Sequence, residues 1–275
     1  MPELPEVEVT RRGIAPHLEH ATIKDVFFDK FKLREPFDPR LGDLRGAYVD
    51  KVTRRGKYIV VWTDAGSVII HLGMTGHLKV LDEGAPEVKH DHFSLYLDNG
   101  KVIRLNDMRR FGLVRYVPPE CDPLQDKHLK DLGPEPLTDD FDGHYLYQRL
   151  QKIKGPVKPA LMNSKVVVGV GNIYASEVLF KAKVHPESSA RALPESVCCA
   201  IADFIKETLS ASIAKGGTTI RDFSGADGRP GYFVQELDVY GHVGAKCKRC
   251  GHEIEKMVQA QRSTFFCPHC QKLYQ

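Results

Sequence analysis

Apolar residues Leu4, Val7, Ile14 and Leu18 recur at helical steps, so the chain is expected to begin with a helix that buries one face. From about Ala21 to Val117 the period shortens. Short β-branched and aromatic runs appear at Ile23–Phe28, Tyr58–Trp62, Val68–Leu72, Phe93–Leu97 and Val102–Leu105. Asp64–Gly66 and Asp98–Gly100 read as hairpin turns between such runs, which predicts an antiparallel sandwich or flattened barrel. Pro, Asp and Gly then crowd residues 118–142, the composition of a linker. Helical signals return from His144 to about Lys215. Asn172–Lys181 follows a glycine-rich turn, and Leu193–Ile213 has Pro194 near its first turn and Gly216–Gly217 past its end. Residues 216–232 read as a long loop of the kind used for lids and binding sites. From about Val239 the chain is organised by cysteines. The expected class is α+β, with an N-terminal helix and sandwich over 1–117, a linker over 118–143, a helical domain over 144–238 and a cysteine unit over 239–275.

A chain of 275 residues can fill two such domains, and 42% hydrophobic with 27% charged residues is ordinary for a globular protein. No apolar run reaches the roughly 18–20 residues of a membrane span, and the charged N-terminus is no signal peptide. The expectation is therefore a cytosolic protein with no membrane partner. A net charge of +3 is too small to announce a nucleic-acid binder. Its distribution says more. Residues 241–275 hold Lys246, Lys248, Arg249, Lys256, Arg262 and Lys272 against Glu253 and Glu255, a local excess of base.

Four of the seven cysteines are spaced as Cys247-x2-Cys250, sixteen residues, Cys267-x2-Cys270. Two matched pairs at this distance suit one closed tetrahedral thiolate site in a β-hairpin, with a single structural Zn2+. A redox dithiol pair explains the pairing less well. The hairpin is poor in apolar residues, so the metal would supply much of its folding free energy. Cys121, Cys198 and Cys199 share no such spacing and read as plain thiols.

The first residues, MPELPEVEV, carry a second chemical signal. Removal of Met1 would leave Pro2 as a free secondary amine, and a chain-end amine with a pKa of roughly 7.7–8.0 is partly unprotonated at neutral pH. Such an amine can attack electrophilic carbon and form a Schiff base, with Glu3 beside it as acid or base. The plainer reading is a proline-rigidified helix start with Glu3, Glu6 and Glu8 at its positive end. Other stretches are also open to two readings. Lys57 in Arg54–Lys57 (RRGK) is either a site residue or an ordinary edge lysine. Val168–Tyr174 (VGVGNIY) offers a glycine turn with Asn172 as N-cap, suited to a phosphate or simply to tight packing. Lys152, Lys154 and Lys158 lie upstream, as a groove lining or a solvated face. Met74, Arg109 and Phe111 on glycine-flanked loops would suit a wedge into a base stack, or form a small apolar cluster. Arg262 at the hairpin tip is a solvated charge or a phosphate-binding fork.

Taken in order, these stretches resemble the bacterial formamidopyrimidine-DNA glycosylases nearly end to end. The matching segments are MPELPEVE at 1–8, RRGK at 54–57, HLGMTG at 71–76, RRFG at 109–112, LGPEPL at 132–137, VGVGNIYASE at 168–177, GGTT at 216–219 and Gln261–Arg262. The resemblance implies a helix–two-turn–helix second domain, a zinc ribbon, and a base-excision repair enzyme that removes oxidised purines such as 8-oxoguanine from double-stranded DNA. It implies that Pro2 attacks C1′ and forms an iminium, followed by β- and δ-elimination. By the same likeness Glu3 is the acid/base partner, Glu6 supports the site, and Lys57 donates a proton and binds phosphate. Asn172 and Arg262 clamp phosphates, with Arg262 linked to elimination. His90 and one of Lys152, Lys154 or Lys158 contact DNA, Met74, Arg109 and Phe111 fill the gap behind the flipped nucleotide, and the 216–232 loop caps the lesion. A monomer in the cytoplasm, associated with the nucleoid, is expected. The sequence departs from the common pattern at Val9 and Ala245, neither in a catalytic role. Two rival readings are an endonuclease VIII-type enzyme for oxidised pyrimidines and a non-catalytic zinc-ribbon DNA-binding protein.

Overall fold

The structure is a computed structural model and describes residues 2–218 and 233–275. The chain divides into two compact units. Residues 2–131 with 215–218 make one, and Leu132–Ala214 with residues 233–275 the other.

In the first unit, helix α1 (Leu4–Leu18) buries the expected stripe, with Leu4, Val7, Ile14 and Leu18 all at most 1% exposed. Eight strands follow: β1 (Ile23–Phe28), β2 (Val49–Arg55), β3 (Tyr58–Thr63), β4 (Gly66–His71), β5 (His77–Asp82), β6 (Asp91–Leu97), β7 (Lys101–Asn106) and β8 (Leu113–Val117). They form two four-stranded antiparallel sheets, ordered β1-β6-β7-β5 and β2-β3-β4-β8. This is the expected sandwich. Its core joins the α1 stripe to inward side chains of both sheets, among them Val61, Ile70, Phe93, Leu95 and Ile103. Asp64–Ala65 closes β3 onto β4, and Gly100 takes the positive φ of 77° that the β6–β7 turn requires.

In the second unit the helices are α2 (Gly143–Leu150), α3 (Val157–Leu161), α4 (Asn172–Lys181) and α5 (Glu195–Ala214). The hairpin β9 (Glu255–Gln259) and β10 (Arg262–Phe266) completes it. Phe180 of α4 packs with Val239, Ile254 and Phe265, so the hairpin rests on the helix through a small apolar cluster. Among the described residues no helix is long and apolar enough to cross a membrane.

Candidate functional site

The start of α1 is organised by carboxylates. Pro2 is buried, Glu3 is 1% exposed and Glu6 2% exposed. Glu3 at the N-cap and Glu6 three residues on make the reciprocal contacts of a capping box, with the Glu3 N–H donating to Glu6 Oε2 at 2.9 Å. The other Glu6 oxygen accepts from the Thr218 N–H at 2.8 Å and the Thr218 hydroxyl at 2.7 Å. Glu6 therefore ties the chain start to the first residues after α5. Gly217, with φ of 81°, lies so close that an added Cβ would stand 3.1 Å from Glu6 Oε1. Of the expected 216–232 loop, residues 219–232 lie outside the described residues.

Lys57 occupies the two-residue turn between β2 and β3 rather than a strand edge. Gly56 before it takes φ of 56°, which such a turn needs at its first central position. His71, buried at the end of β4, accepts at Nδ1 from the Gly73 N–H (2.9 Å) and from Arg34 (3.2 Å). Burial first, then the positive Arg34, Lys57 and His128, push its pKa down to about 3, so it is a neutral acceptor at physiological pH.

Met74 sits on the β4–β5 loop, and Arg109 and Phe111 on the β7–β8 loop. All three are exposed. The two loops touch through backbone, since a Cβ on Gly73 would meet Gly112 N and Phe111 C at 2.5 Å. The Arg109 guanidinium stands 4.7 Å from the centre of the Phe111 ring. The structure thus pairs Arg109 with Phe111 and carries Met74 on the loop that touches theirs. His90, at φ of 77°, is linked to the same loop through its carbonyl, which accepts from Asp107 N–H at 3.0 Å.

In the second unit, Lys158 separates itself from the other two lysines. Lys152 and Lys154 are exposed, whereas Lys158 is 1% exposed and its ammonium donates to Asn172 Oδ1 at 2.5 Å and Thr264 Oγ1 at 2.8 Å. Asn172 is not the N-cap that its sequence position suggests. Gly171 is, in an extended conformation, and Asn172 is the first helical residue. Its side chain is engaged by tertiary partners instead: Nδ2 donates to the Ser263 carbonyl at 2.9 Å. Asn172 and Lys158 therefore join α4 and α3 to β10. Arg262 opens β10 beside the turn Ala260–Gln261, whose φ values are 48° and 59°, and is exposed at the hairpin tip as expected.

Sequence reasoning missed Glu177. It is 2% exposed in α4, and its carboxylate accepts three backbone N–H groups, from Asp238 (2.8 Å), Val239 (3.0 Å) and Tyr240 (2.8 Å). Burial raises its pKa and these donors oppose the rise. It fixes the strand of chain that leads into the hairpin to the helix beneath. Glu177 lies within the recognised VGVGNIYASE stretch, but nothing local announces partners sixty residues away.

The four expected cysteines converge. Their Sγ atoms all lie within 4.8 Å of one another, with Cys247–Cys270 at 3.9 Å and Cys250–Cys267 at 3.5 Å. Zinc–sulfur bonds of about 2.3 Å in a tetrahedron require sulfur–sulfur edges of about 3.8 Å. The donor set fits one zinc ion with no open position.

Comparison with known proteins accounts for the chain in three segments. Residues 1–114 match the formamidopyrimidine-DNA glycosylase N-terminal domain, 132–224 its H2TH domain, and 244–273 a zinc finger found in FPG and IleRS. The chain belongs to the formamidopyrimidine-DNA glycosylase family. It is 49% identical to the formamidopyrimidine-DNA glycosylase of Vibrio vulnificus (strain YJ016) over 271 residues, covering 98% of this chain and 100% of that one. Identity to the Salmonella newport (strain SL254) protein of the same name is also 49%, over 99% of this chain and 100% of the other. Among solved structures, a Lactococcus lactis FPG variant in complex with Fapy-dG containing DNA superposes with a TM-score of 0.91 at 37% identity, over 98% of this chain and all of that one. MutM in complex with DNA containing carbocyclic 8-oxo-G gives 0.90 at 37% identity, with the same coverage of both chains.

Proposed function

We propose that this glycosylase excises oxidised purines, 8-oxoguanine and formamidopyrimidines, from duplex DNA in base-excision repair, with Pro2 as the nucleophile. Base removal and abasic-strand cleavage are the activities of its family, and the end-to-end match carries them to this chain. The observation that most supports the assignment to Pro2 is its burial at the head of α1, directly before Glu3, whose N–H donates to Glu6.

The chemistry follows from those groups. The Pro2 nitrogen lone pair attacks C1′, the glycosidic bond breaks, and the base departs with its electron pair. Glu3 takes the proton that the Pro2 nitrogen sheds on bonding C1′ and passes it to the sugar ring oxygen. This opens the ring and leaves an iminium between Pro2 and C1′, while the departed base takes its proton from water. The iminium acidifies the neighbouring sugar carbon, so β-elimination and then δ-elimination expel the two phosphates. Lys57 donates a proton and binds phosphate near the scissile sugar. Glu6 holds Glu3 and the 218 position in register. Met74, Arg109 and Phe111 fill the gap left when the nucleotide flips out, a movement the reaction needs because C1′ cannot be reached inside the stack. Asn172 and Arg262 bind the DNA backbone, with His90 and one of Lys152, Lys154 or Lys158 contributing further contacts, and Arg262 assists elimination. Zinc, when bound by its four thiolates, supplies rigidity to the hairpin that carries Arg262. The enzyme acts as a monomer in the cytoplasm, on nucleoid DNA, and its four parts are the sandwich, the linker, the helical domain and the hairpin bounded above.

This mechanism requires that Met1 be removed, because an acylated prolyl nitrogen is an amide and has no free lone pair. Borohydride trapping on an 8-oxoguanine:cytosine duplex tests it directly. Wild-type protein should become covalently attached to DNA through a peptide beginning at Pro2, as read by mass spectrometry. Pro2→Gly should lose at least about a hundredfold in excision while still retarding the duplex. Full turnover by Pro2→Gly, or by a chain that retains Met1, would remove the proline from the mechanism.

A further inference from the structure

Asp107 is fully buried where β7 gives way to the Arg109–Phe111 loop. Its Oδ1 accepts from the Thr75 hydroxyl at 2.6 Å and from the Arg109 N–H at 3.3 Å, and its Oδ2 accepts from the Gly112 N–H at 2.8 Å. Thr75 directly follows Met74. One carboxylate therefore holds the loop that carries Met74 and both ends of the loop that carries Arg109 and Phe111. The surroundings brace the same loop from outside. Arg34 donates twice to the Phe111 carbonyl, at 3.1 and 2.8 Å, and His92 Nε2 stands 3.1 Å from the Asp107 carbonyl. Between Arg109 and Phe111, Arg110 takes the left-handed φ of 56° and reaches Asp29 at 3.1 Å. That backbone turn is unusual for a side chain of this size and persists only when neighbours over-determine it.

We infer that Asp107 is the positioning residue of the wedge, fixing Met74 against the Arg109–Phe111 pair before DNA arrives. The inference rests on the wedge role given to those three residues above. Three exposed side chains on two independent loops would each lose conformational freedom on entering a base stack. Two loops joined through one buried carboxylate enter as a single body, so more of the insertion energy remains to open the stack. Loss of the carboxylate strands the Gly112 N–H and the Thr75 hydroxyl and lets the loops part. Asparagine at the position keeps an oxygen for Gly112 and an N–H for the Thr75 oxygen, so it should preserve most of the join.

The test uses the zinc-loaded full chain and two substrates. One is an 8-oxoguanine:cytosine duplex with 2-aminopurine beside the lesion, whose fluorescence reports stack opening. The other carries an abasic site opposite a gap, where no pair has to be opened. Asp107→Ala should slow both the fluorescence rise and base excision about tenfold while cleavage of the gapped abasic strand stays within about twofold. Asp107→Asn should recover most of the loss. Thr75→Val removes the hydroxyl's bonds to Asp107 and to the Arg109 N–H at a less buried position but leaves the Asp107 contact to Gly112. It should give a smaller slowing of the same kind and serves if Asp107→Ala does not fold. Wild-type opening rates in both Asp107→Ala and Thr75→Val would overturn the inference. So would equal losses on both substrates, the mark of general damage. If Met74→Ala and Phe111→Ala leave stack opening unchanged, the wedge reading itself fails. If wild-type protein neither excises the base nor forms the borohydride adduct, the proposed function fails first.

Discussion

The Met74 and Arg109–Phe111 loops of the first unit and the cysteine hairpin of the second are both small, exposed at their tips and rich in turn residues, yet different physics holds each. The two loops stand on two four-stranded sheets with an extensive apolar core, and buried polar side chains such as Asp107 and His71 set their shape. The hairpin has two five-residue strands, a handful of packed apolar residues and a cluster of four thiols. Its shape has to come from the metal and from the anchoring of Glu177 and Lys158. A core spreads its stability over many contacts, whereas the hairpin concentrates much of its own in one metal site.

The largest effect that separates the two is zinc removal. Apparent zinc affinities of about 10–16 kcal/mol in comparable fingers exceed any single contact in the sandwich. A strong chelator should unfold the hairpin and lower duplex affinity by at least about tenfold, since Arg262 would lose its fixed position. The sandwich should not respond. The chain has one tryptophan, Trp62, placed in β3 with its indole N–H donating to Thr53 Oγ1 at 2.8 Å. Trp62 emission should therefore stay constant while the circular dichroism and binding signals of the hairpin are lost. A collapse of the tryptophan signal at the same chelator concentration would mean the two regions are not independent in stability.

Acid should reach the sandwich, which the chelator spares, as well as the hairpin, whose thiolates lose the metal to protons. Glu8 in α1 lies 2.8 Å from Arg11, 2.7 Å from Arg12 and 3.1 Å from Arg54 of β2. Burial works to raise its pKa, but these guanidinium groups win and hold it down at about 2 against an ordinary 4.5. Between those two values the unfolded chain binds the proton and the folded one does not. The contribution to stability is thus present above pH 4.5 and lost as pH falls toward 2, up to about 3 kcal/mol. Thermal unfolding followed at Trp62 should show a falling midpoint across this window, and Glu8→Gln should flatten the fall while lowering the midpoint at neutral pH. An unchanged slope in Glu8→Gln would show that other carboxylates carry the acid response.

The same contrast explains what was legible in the sequence. Elements with a clear periodic or spacing pattern of their own could be read: β1 and α4 match their expected bounds, and the four cysteines converge as their spacing requires. Strands β2, β5 and β8 were not among the expected runs. The alternation in β2 is broken by a register shift between Val49 and Lys51, and β8 is buried on both faces in a segment of only five residues. Asn172 had the right residue type for a cap, but its amide is taken by Lys158 and Ser263, which are distant in sequence. Asp107 and Glu177 gave no local signal for the same reason. The partners of Glu177 lie 61–63 residues away. Asp107, besides its near neighbours Arg109 and Gly112, reaches Thr75 32 residues back, so each differs from a solvated carboxylate through contacts that no local pattern shows. The recognised motifs carry the residues proposed for the site, and the fold shows which residues hold others in place.

The smallest expected effect sharpens the comparison most selectively. Arg262 is exposed at the tip of a hairpin whose position is set by Cys247, Cys250, Cys267, Cys270, Glu177 and Lys158, so its removal should disturb none of the packing beneath. Arg262→Ala should leave zinc content and thermal unfolding at their wild-type values. Its effect should appear in the salt dependence of binding, where each phosphate contact releases about one counterion. The slope of log K against log salt should become shallower by about 0.9 for one lost phosphate contact and by about twice that if the guanidinium spans two. Substituting Lys152, exposed but outside the Lys158–Asn172–Thr264 cluster, should change the slope by no more than one such contact. A slope that does not move in Arg262→Ala would mean that the hairpin serves the fold of the second unit and leaves the grip on DNA to Asn172 and Lys158.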